Sequence, residues 1–500
     1  MNTLAHSPVV ERLLRDASSS VSETIDLRTA RNAQVKWASI PLVHRLQKIR
    51  NLRSGIAAHG RRLAEASAQI RGRPIAECLT SEVLPLADSC RFLENHALRI
   101  LEPRVLSGWG LPLWLSGITM TLQREPRGVV LIIAPGNYPL FLAGVQTLQA
   151  LAAGNAVFLK PSPGTSQVAK ELQALICEAG VDPQLFTLLP ESIEAAQSAI
   201  LSRPDHIVFT GSAQTGQHIL SAAAPLLIST TLELGGSDAV IVRADADLDL
   251  AAKALRFGLL LNEGRTCMAP RRVLTHASVS QELEIRLIHQ LSQQRCAASD
   301  TGPASGDPRT RQRVREALTG GGRLVYGCHP DTTPWQGPWI LSDVSPDDSL
   351  LREETFAPLL VFVTVANDAE AVRVANDSSY GLSASVFTRD ETAGQHLAQS
   401  LHVGAVTIND LILPTADGRV PFGGRKRSGF GVTRGEEGLL QMTNVKVISQ
   451  TKSRWRPAFD PTRPGDELLF STYLEAAHGN GLFHRLKAIW ALIQLLVRRI

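Results

Sequence analysis

The 500-residue chain reads as an α/β protein built on two doubly wound parallel sheets, with a small additional β element. Three observations predict this. Continuous branched-aliphatic runs such as GVVLIIAP (128–135) are what strands buried on both faces require. Between residues 127 and 236 such runs alternate with segments of helical period, giving a βαβα rhythm. A second series of the same kind runs from 237 to 440.

Taken in order, residues 1 to 107 read as helices, with Leu, Ile and Ala recurring at three- and four-residue spacing in VHRLQKIRNLRSGIAAHGRRLAEA. SGITMTLQREP (116–126) alternates like an exposed strand. After GVVLIIAP, VQTLQALAAG is a helix closed by Gly154, and NAVFLKPS is a strand. SQVAKELQALICEAG is helical, while FTLLP and HIVFTGS are strands. The second series comprises the strand DAVIV, the helix AAKALRFGLLLNEG (251–264) and the strands RRVLTH, LLVFVTV, SASVFTR and GAVTIN. NVKVISQT reads as a lone strand, residues 453 to 465 as a proline-rich linker, and the last twenty residues as a helix.

Composition narrows the function classes. The chain is 44% hydrophobic and 20% charged, with a formal net charge of +4, which is ordinary for a globular protein. No basic tract, RRM-like aromatic motif or zinc-finger spacing points to nucleic acid. The six cysteines are Cys78, Cys90, Cys177, Cys267, Cys296 and Cys328. Their scatter suggests neither a disulfide framework nor a metal site, so a reduced, cytoplasmic setting is expected. The N-terminus lacks the pattern of a signal peptide, and no apolar run approaches the ~20 residues that span a bilayer.

A few residues carry chemistry. Cys267, in NEGRTCMAP, follows a long apolar run and sits among small and polar residues; a free Cys is more often a small core hydrophobe than a nucleophile. Glu233, in TTLELGGSD, is a carboxylate inside an apolar run, costly unless paired or functional. Asn137, in APGNYP, lies just past a buried strand, where a rigid amide either caps a helix or faces a developing negative charge. Lys160 ends a strand, where doubly wound sheets bind ligands. FTGSAQTG (209–216) could turn backbone N–H groups toward a phosphate, or be a plain strand–helix turn.

From about residue 30 to 450 the chain resembles the aldehyde dehydrogenase superfamily. The motifs PGNYP, AAGNAVFLKPS, FTGSAQTG, LELGGSD, NEGRTC, EETFAP, YGLSASVF and PFGGRKRSG follow one another in the family's order, and 34 residues separate Glu233 from Cys267. The resemblance implies a Rossmann-like cofactor domain (1–107 and 127–236) and a catalytic domain (237–440). It also implies oligomerisation strands at 108–126 and 441–452 and a homodimer or homotetramer. It makes Cys267 the nucleophile, Glu233 the base that activates water, and the Asn137 amide with the Cys267 N–H the oxyanion holders. NAD or NADP would lie along Ile133, Ala134, Pro135, Lys160, Ser162, Thr210, Gly211, Ser212, Gly216, Leu234, Gly235, Glu354 and Phe356, with no metal. The substrate tunnel would be lined near Tyr138, Phe141, Leu142, Val145, Leu261, Met268, Leu411 and Ile412. That set holds no cation to grip a carboxylate, so an apolar aldehyde is expected.

The pattern is broken in places. KPSP has Pro163 where many members have a Glu that accepts from the adenosine ribose, so NADP should be tolerated better than usual. Gly136, Ala357 and Arg265 stand where Trp, Gly and Gln are common. Two rival readings are a CoA-acylating relative, against which Glu233 argues, and a non-catalytic scaffold, against which Cys267, Glu233, Asn137 and Glu354 argue together. In the tail (481–500), Leu482, Leu486, Ile489, Ile493, Leu496 and Ile500 form an apolar helical face flanked by Arg485, Lys487, Arg498 and Arg499. That face would either lie on an anionic membrane surface, peripherally on its inner side, or pack on protein.

Overall fold

The computed structural model describes residues 26–106, 115, 117–295, 308–452, 459 and 461–497. Expectations that fall on residues 1–25, on Cys296, on most of the 453–460 stretch and on 498–500 lie outside the described residues. Of the described residues, those up to 102 and from 124 to 445 make one compact unit, and those within 103–123 and from 446 onward a second.

The first unit contains two large sheets. In the six-stranded one the order is Gly429–Phe430, Ser229–Leu234, His206–Gly211, Val129–Ile133, Ala156–Lys160, Phe186–Leu188, all parallel except the first. The chain enters at Val129–Ile133 and winds outward on one side. It then crosses to His206–Gly211 on the other side, so a topological switch point lies beyond Ile133 and Gly211. Every residue of the Val129–Ile133 and Ala156–Lys160 strands is buried, which accounts for their unbroken apolar runs.

The seven-stranded sheet has the order Arg323–Tyr326, Trp339–Ser342, Leu359–Val365, Pro270–His276, Asp238–Val242, Ser383–Phe387, Ala405–Ile408, with only the first strand antiparallel. Its strands show the period of two. Val240 and Val242 enter one core cluster with helix Leu248–Leu260, whereas Ala239 and Ile241 enter another with helices Asp368–Asn376 and Glu391–Ser400.

Three expectations are corrected. The helix expected over 251–264 stops at Leu260, because Asn262, Glu263 and Gly264 all take positive φ (48°, 54° and 71°). Residues 104–106 are a strand rather than the end of a helix. Thr443–Thr451 is not alone: it joins Ile118–Pro126 and Arg104–Leu106 in a three-stranded sheet. Strand Ser229–Leu234 and helix Ile193–Leu201, unmarked by a clear period, complete the first sheet's windings.

In the second unit, helices Asp466–His478 and Leu482–Val497 pack as a hairpin around Gly479–Gly481, with Arg485 Nε donating to Ala476 O at 3.2 Å. Ala488 is buried, but Phe483 is 89% exposed and Trp490 63%. No helix among the described residues is long and apolar enough to cross a membrane.

Candidate active site

The loop that carries Cys267 is built by backbone that a helix would not supply. The three left-handed residues before Arg265 turn the chain back on itself, a conformation costly for Asn262 and Glu263 and held only by surrounding bonds. At Gly264 a Cβ would lie 2.5 Å from the Ala357 and Pro358 backbone, so no other residue fits. Arg271, buried, supplies the tie: its guanidinium donates to Gly264 O and Ala357 O, joining the Cys267 loop to the EETFAP loop. Cys267 thus sits at the amino end of the Pro270–His276 strand. The cavity around Cys267 lies at the carboxyl ends of first-sheet strands, at Ile133, Lys160, Gly211 and Leu234, but at the amino end of this second-sheet strand.

Asn137 is held from three directions. Its carbonyl accepts from Arg73 Nη1 (3.2 Å) and Asn262 Nδ2 (2.9 Å), and its own Nδ2 donates to Arg265 O at 3.1 Å. Arg73 in turn pairs with the fully buried Glu82 at 2.9 Å, and Glu82 accepts from Leu140 N and so caps the helix Phe141–Ala153. Tyr138 shares a 2.5 Å hydrogen bond with Thr266, so its hydroxyl braces the loop.

Glu233 is 2% exposed. Burial pushes its carboxyl up to about 7, against the charge of Arg434 and a hydrogen bond from the Thr433 hydroxyl. Its Oε2 is buried without a hydrogen-bond partner. Burial also pushes Asp238 up to about 7, although Ser383 donates to it from both hydroxyl and backbone. Cys267 is half-buried, and desolvation, then the carboxylates of Asp238 and Glu233, push its thiol up to about 12.

One cavity of about 820 Å³ brings Cys267, Glu233 and Asn137 together. Ile133, Ala134, Pro135, Lys160, Ser162, Thr210, Gly211, Ser212, Leu234, Gly235, Glu354 and Phe356 line it too, as do Tyr138, Phe141, Leu142, Leu261, Met268 and Ile412. Three expected residues do not. Val145 and Leu411 are turned into the core, because each faces packed helix or sheet rather than the opening. Gly216 instead allows close packing, since a Cβ there would meet Leu234 at 2.7 Å. Arg434, which the expected tunnel set did not include, also lines the cavity, beside Phe422. An Arg between glycines in GVTRGEEG reads as a solvated loop, so the sequence offered no signal for it.

A family model for the aldehyde dehydrogenase family matches residues 5–448. The chain belongs to that family. It is 33% identical to the 4,4'-diapolycopene aldehyde oxidase of a Methylomonas species over 89% of this chain and 85% of that one. It is 30% identical to a chloroplastic betaine aldehyde dehydrogenase of Amaranthus hypochondriacus, covering 90% and 93%. Its fold matches an NAD-dependent aldehyde dehydrogenase from Sinorhizobium meliloti (TM-score 0.78, 28% identity, 90% and 89% covered). It also matches an NADP-dependent enzyme of E. coli (TM-score 0.78, 26% identity, 85% and 89% covered). The protein is therefore an NAD(P)-dependent aldehyde dehydrogenase.

The cavity's first-sheet side suits such a dinucleotide. Helix Ala213–Ala223 starts at the cavity wall with Ser212 as its N-cap and no acidic residue in its first turn, leaving N–H groups for a pyrophosphate. Gly235 has no room for a side chain: a Cβ would lie 2.0 Å from the Glu354 carboxylate, which stands over it. Lys160 reaches the same wall, its ammonium disfavoured by burial and supported by Glu191 and Glu194.

Proposed function

We propose that this dehydrogenase oxidises an apolar, extended aldehyde through a thiohemiacetal and a thioester on Cys267. The observation that carries the proposal is the single cavity in which Cys267, Glu233 and Asn137 meet a wall of Phe141, Leu142, Phe257, Leu261, Met268 and Ile412. An aldehyde chain on that wall loses water from both partners, while its carbonyl reaches the polar end. The name of the Methylomonas relative, 4,4'-diapolycopene aldehyde oxidase, supports the same class.

The steps follow from the residues. Sγ of Cys267 adds to the carbonyl carbon, and the oxygen takes the negative charge. Asn137 keeps one amide hydrogen beyond its bond to Arg265 O, and among the described residues the Cys267 N–H has no hydrogen-bond partner, so two donors are free for that oxyanion. The bound nicotinamide supplies the hydride acceptor, which Ile133 to Pro135, Ser212, Gly235 and Glu354 would hold against the cavity wall. Glu233, through its unpartnered Oε2, then removes a proton from the water that cleaves the thioester. The six-stranded half would thus serve the cofactor and the seven-stranded half the nucleophile.

The second unit is read as a contact element. Its short sheet would join subunits of a homodimer or homotetramer. Its hairpin, with Leu482, Leu486, Ile489 and Ile493 exposed beside Arg485 and Lys487, would rest on an anionic membrane that delivers the substrate.

A panel of aldehydes of rising chain length, run with NAD and with NADP, tests the substrate class. The proposal expects kcat/KM to rise with apolar length; a preference for short or carboxylated aldehydes contradicts it.

A further inference from the structure

The nucleophile stands where ionisation is opposed. Desolvation acts first on the Cys267 thiol, and negative charge on Asp238, Glu233 and Glu354 adds to it, whereas Arg434 favours the thiolate. Glu233 faces the same cation, with Thr433 as its hydrogen-bond donor. Arg434 feels Glu233 and Cys267 in return. Arg271 feels Cys267 as well, but its guanidinium is committed to Gly264 O and Ala357 O.

Arg434 is placed with care. It is 4% exposed and lines the same cavity as Cys267 and Glu233. Its backbone takes φ 62°, ψ 169°, a conformation that L-residues avoid, and its N–H is pinned by Gln149 Oε1 at 3.1 Å. The guanidinium carbon lies 4.3 Å from the Phe422 ring centroid and 5.5 Å from that of Phe141, and Nη1 donates to Thr415 O. Among the described residues it forms no ion pair, and its Nε is buried without a partner. A buried cation with an unused donor is costly unless negative charge arises beside it.

We propose that Arg434 is the counter-cation of the ionised active site, holding the negative charge that Cys267 and Glu233 share. The proton leaves Sγ for solvent water; the S–H bond breaks, an O–H bond forms, and the electron pair stays on sulfur, where the thiolate faces a fixed guanidinium. Glu233 keeps its carboxylate for the water that attacks the thioester. Arg434 is a positioning residue: it acts through Cys267 and Glu233, not on the substrate. The inference rests on the reading of Cys267 as nucleophile.

The test is the pH profile of Cys267 carbamidomethylation by iodoacetamide, followed on the Cys267 peptide in full-length wild type, Arg434→Met, Arg434→Gln and Arg434→Lys. The neutral variants are expected to move the apparent midpoint up by at least about one pH unit, slowing alkylation about tenfold at pH 7. Arg434→Lys should stay within about threefold of wild type. A folded Met or Gln variant, by circular dichroism and melting, with an unshifted profile overturns the proposal. A purely structural Arg434 would lower the melting temperature of all three variants without moving the profile. An unshifted profile with a raised KM for carboxylated aldehydes would make it a substrate clamp instead, again against the proposal. Turnover surviving in Cys267→Ala would sink the nucleophile assignment separately, since alkylation chemistry needs no turnover.

Discussion

Thr433 donates its hydroxyl to Oε1 of Glu233, and Oε2 of the same carboxylate stays buried and unpartnered in the active-site cavity. The bond favours the carboxylate over the acid, so it holds down a carboxyl that burial, on balance, still raises to about 7. Glu233 must be ionised to accept a proton from water. Hydrolysis of the thioester should therefore rise with pH through about 7, and Thr433→Val, by removing the bond, should move that limb to higher pH. The pH profile of kcat, for a substrate whose deacylation limits turnover, checks this; an unmoved limb would detach Thr433 from the base.

If Asn137 holds the oxyanion as proposed, Asn137→Ala removes one of its donors together with the bond to Arg265 O. Loss of one oxyanion donor typically costs about 10²–10³ in kcat. Steady-state kinetics should show that loss with cofactor affinity nearly unchanged. A variant with reduced cofactor affinity and normal kcat would give Asn137 a purely structural role in the loop.

Pro163 lines the cavity beside Lys160 and Ser162. The neighbouring carboxylate of Glu191 is tied to Gly164 N at 2.8 Å and Ser166 N at 2.6 Å, so it is occupied in holding the loop. Pro163→Glu should shift preference toward NAD by roughly 1–2 kcal/mol, the repulsion of a 2′-phosphate a few ångströms away at intermediate dielectric. Equal changes in KM for NAD and NADP would show that residue 163 does not face the ribose.

Deleting residues 481–500 should leave turnover of short, water-soluble aldehydes intact, abolish co-sedimentation with anionic liposomes, and slow long-chain aldehydes. The full-length protein should bind such vesicles at low salt, where each basic residue near the surface adds about 1 kcal/mol. No binding would leave packing on protein as the hairpin's role.

Much of this was legible in the sequence, for physical reasons. Strands buried on both faces, such as Val129–Ile133, betray themselves by unbroken aliphatic runs, and Gly154, at φ 101°, marks the end of its helix. Glu233 stood out because a carboxylate is costly in apolar surroundings, whereas Cys267, read alone, passed for a small core thiol and was singled out only by the resemblance of its motif. The end of the helix at Leu260 was not legible: NEG continues a plausible helical pattern, and the turn is held by Arg271, which ties Gly264 to the distant Ala357. Arg434 was hidden for the same kind of reason. Its burial depends on Phe141, Phe422 and Thr415, distant in sequence. The tail's apolar face was visible from its spacing, and the segment after the linker read as helical; its division at Gly479–Gly481 into Asp466–His478 and Leu482–Val497 was not marked.

The most direct test of covalent catalysis on Cys267 with Glu233 as the hydrolytic base is a rapid-mixing experiment on Glu233→Gln, combined with mass analysis of the Cys267 peptide. The account predicts one burst of NAD(P)H, up to one equivalent per active site, followed by a stall with the acyl group on Cys267, because hydride transfer precedes hydrolysis. Steady turnover at the wild-type rate, or a burst with no acyl group on Cys267, would contradict it.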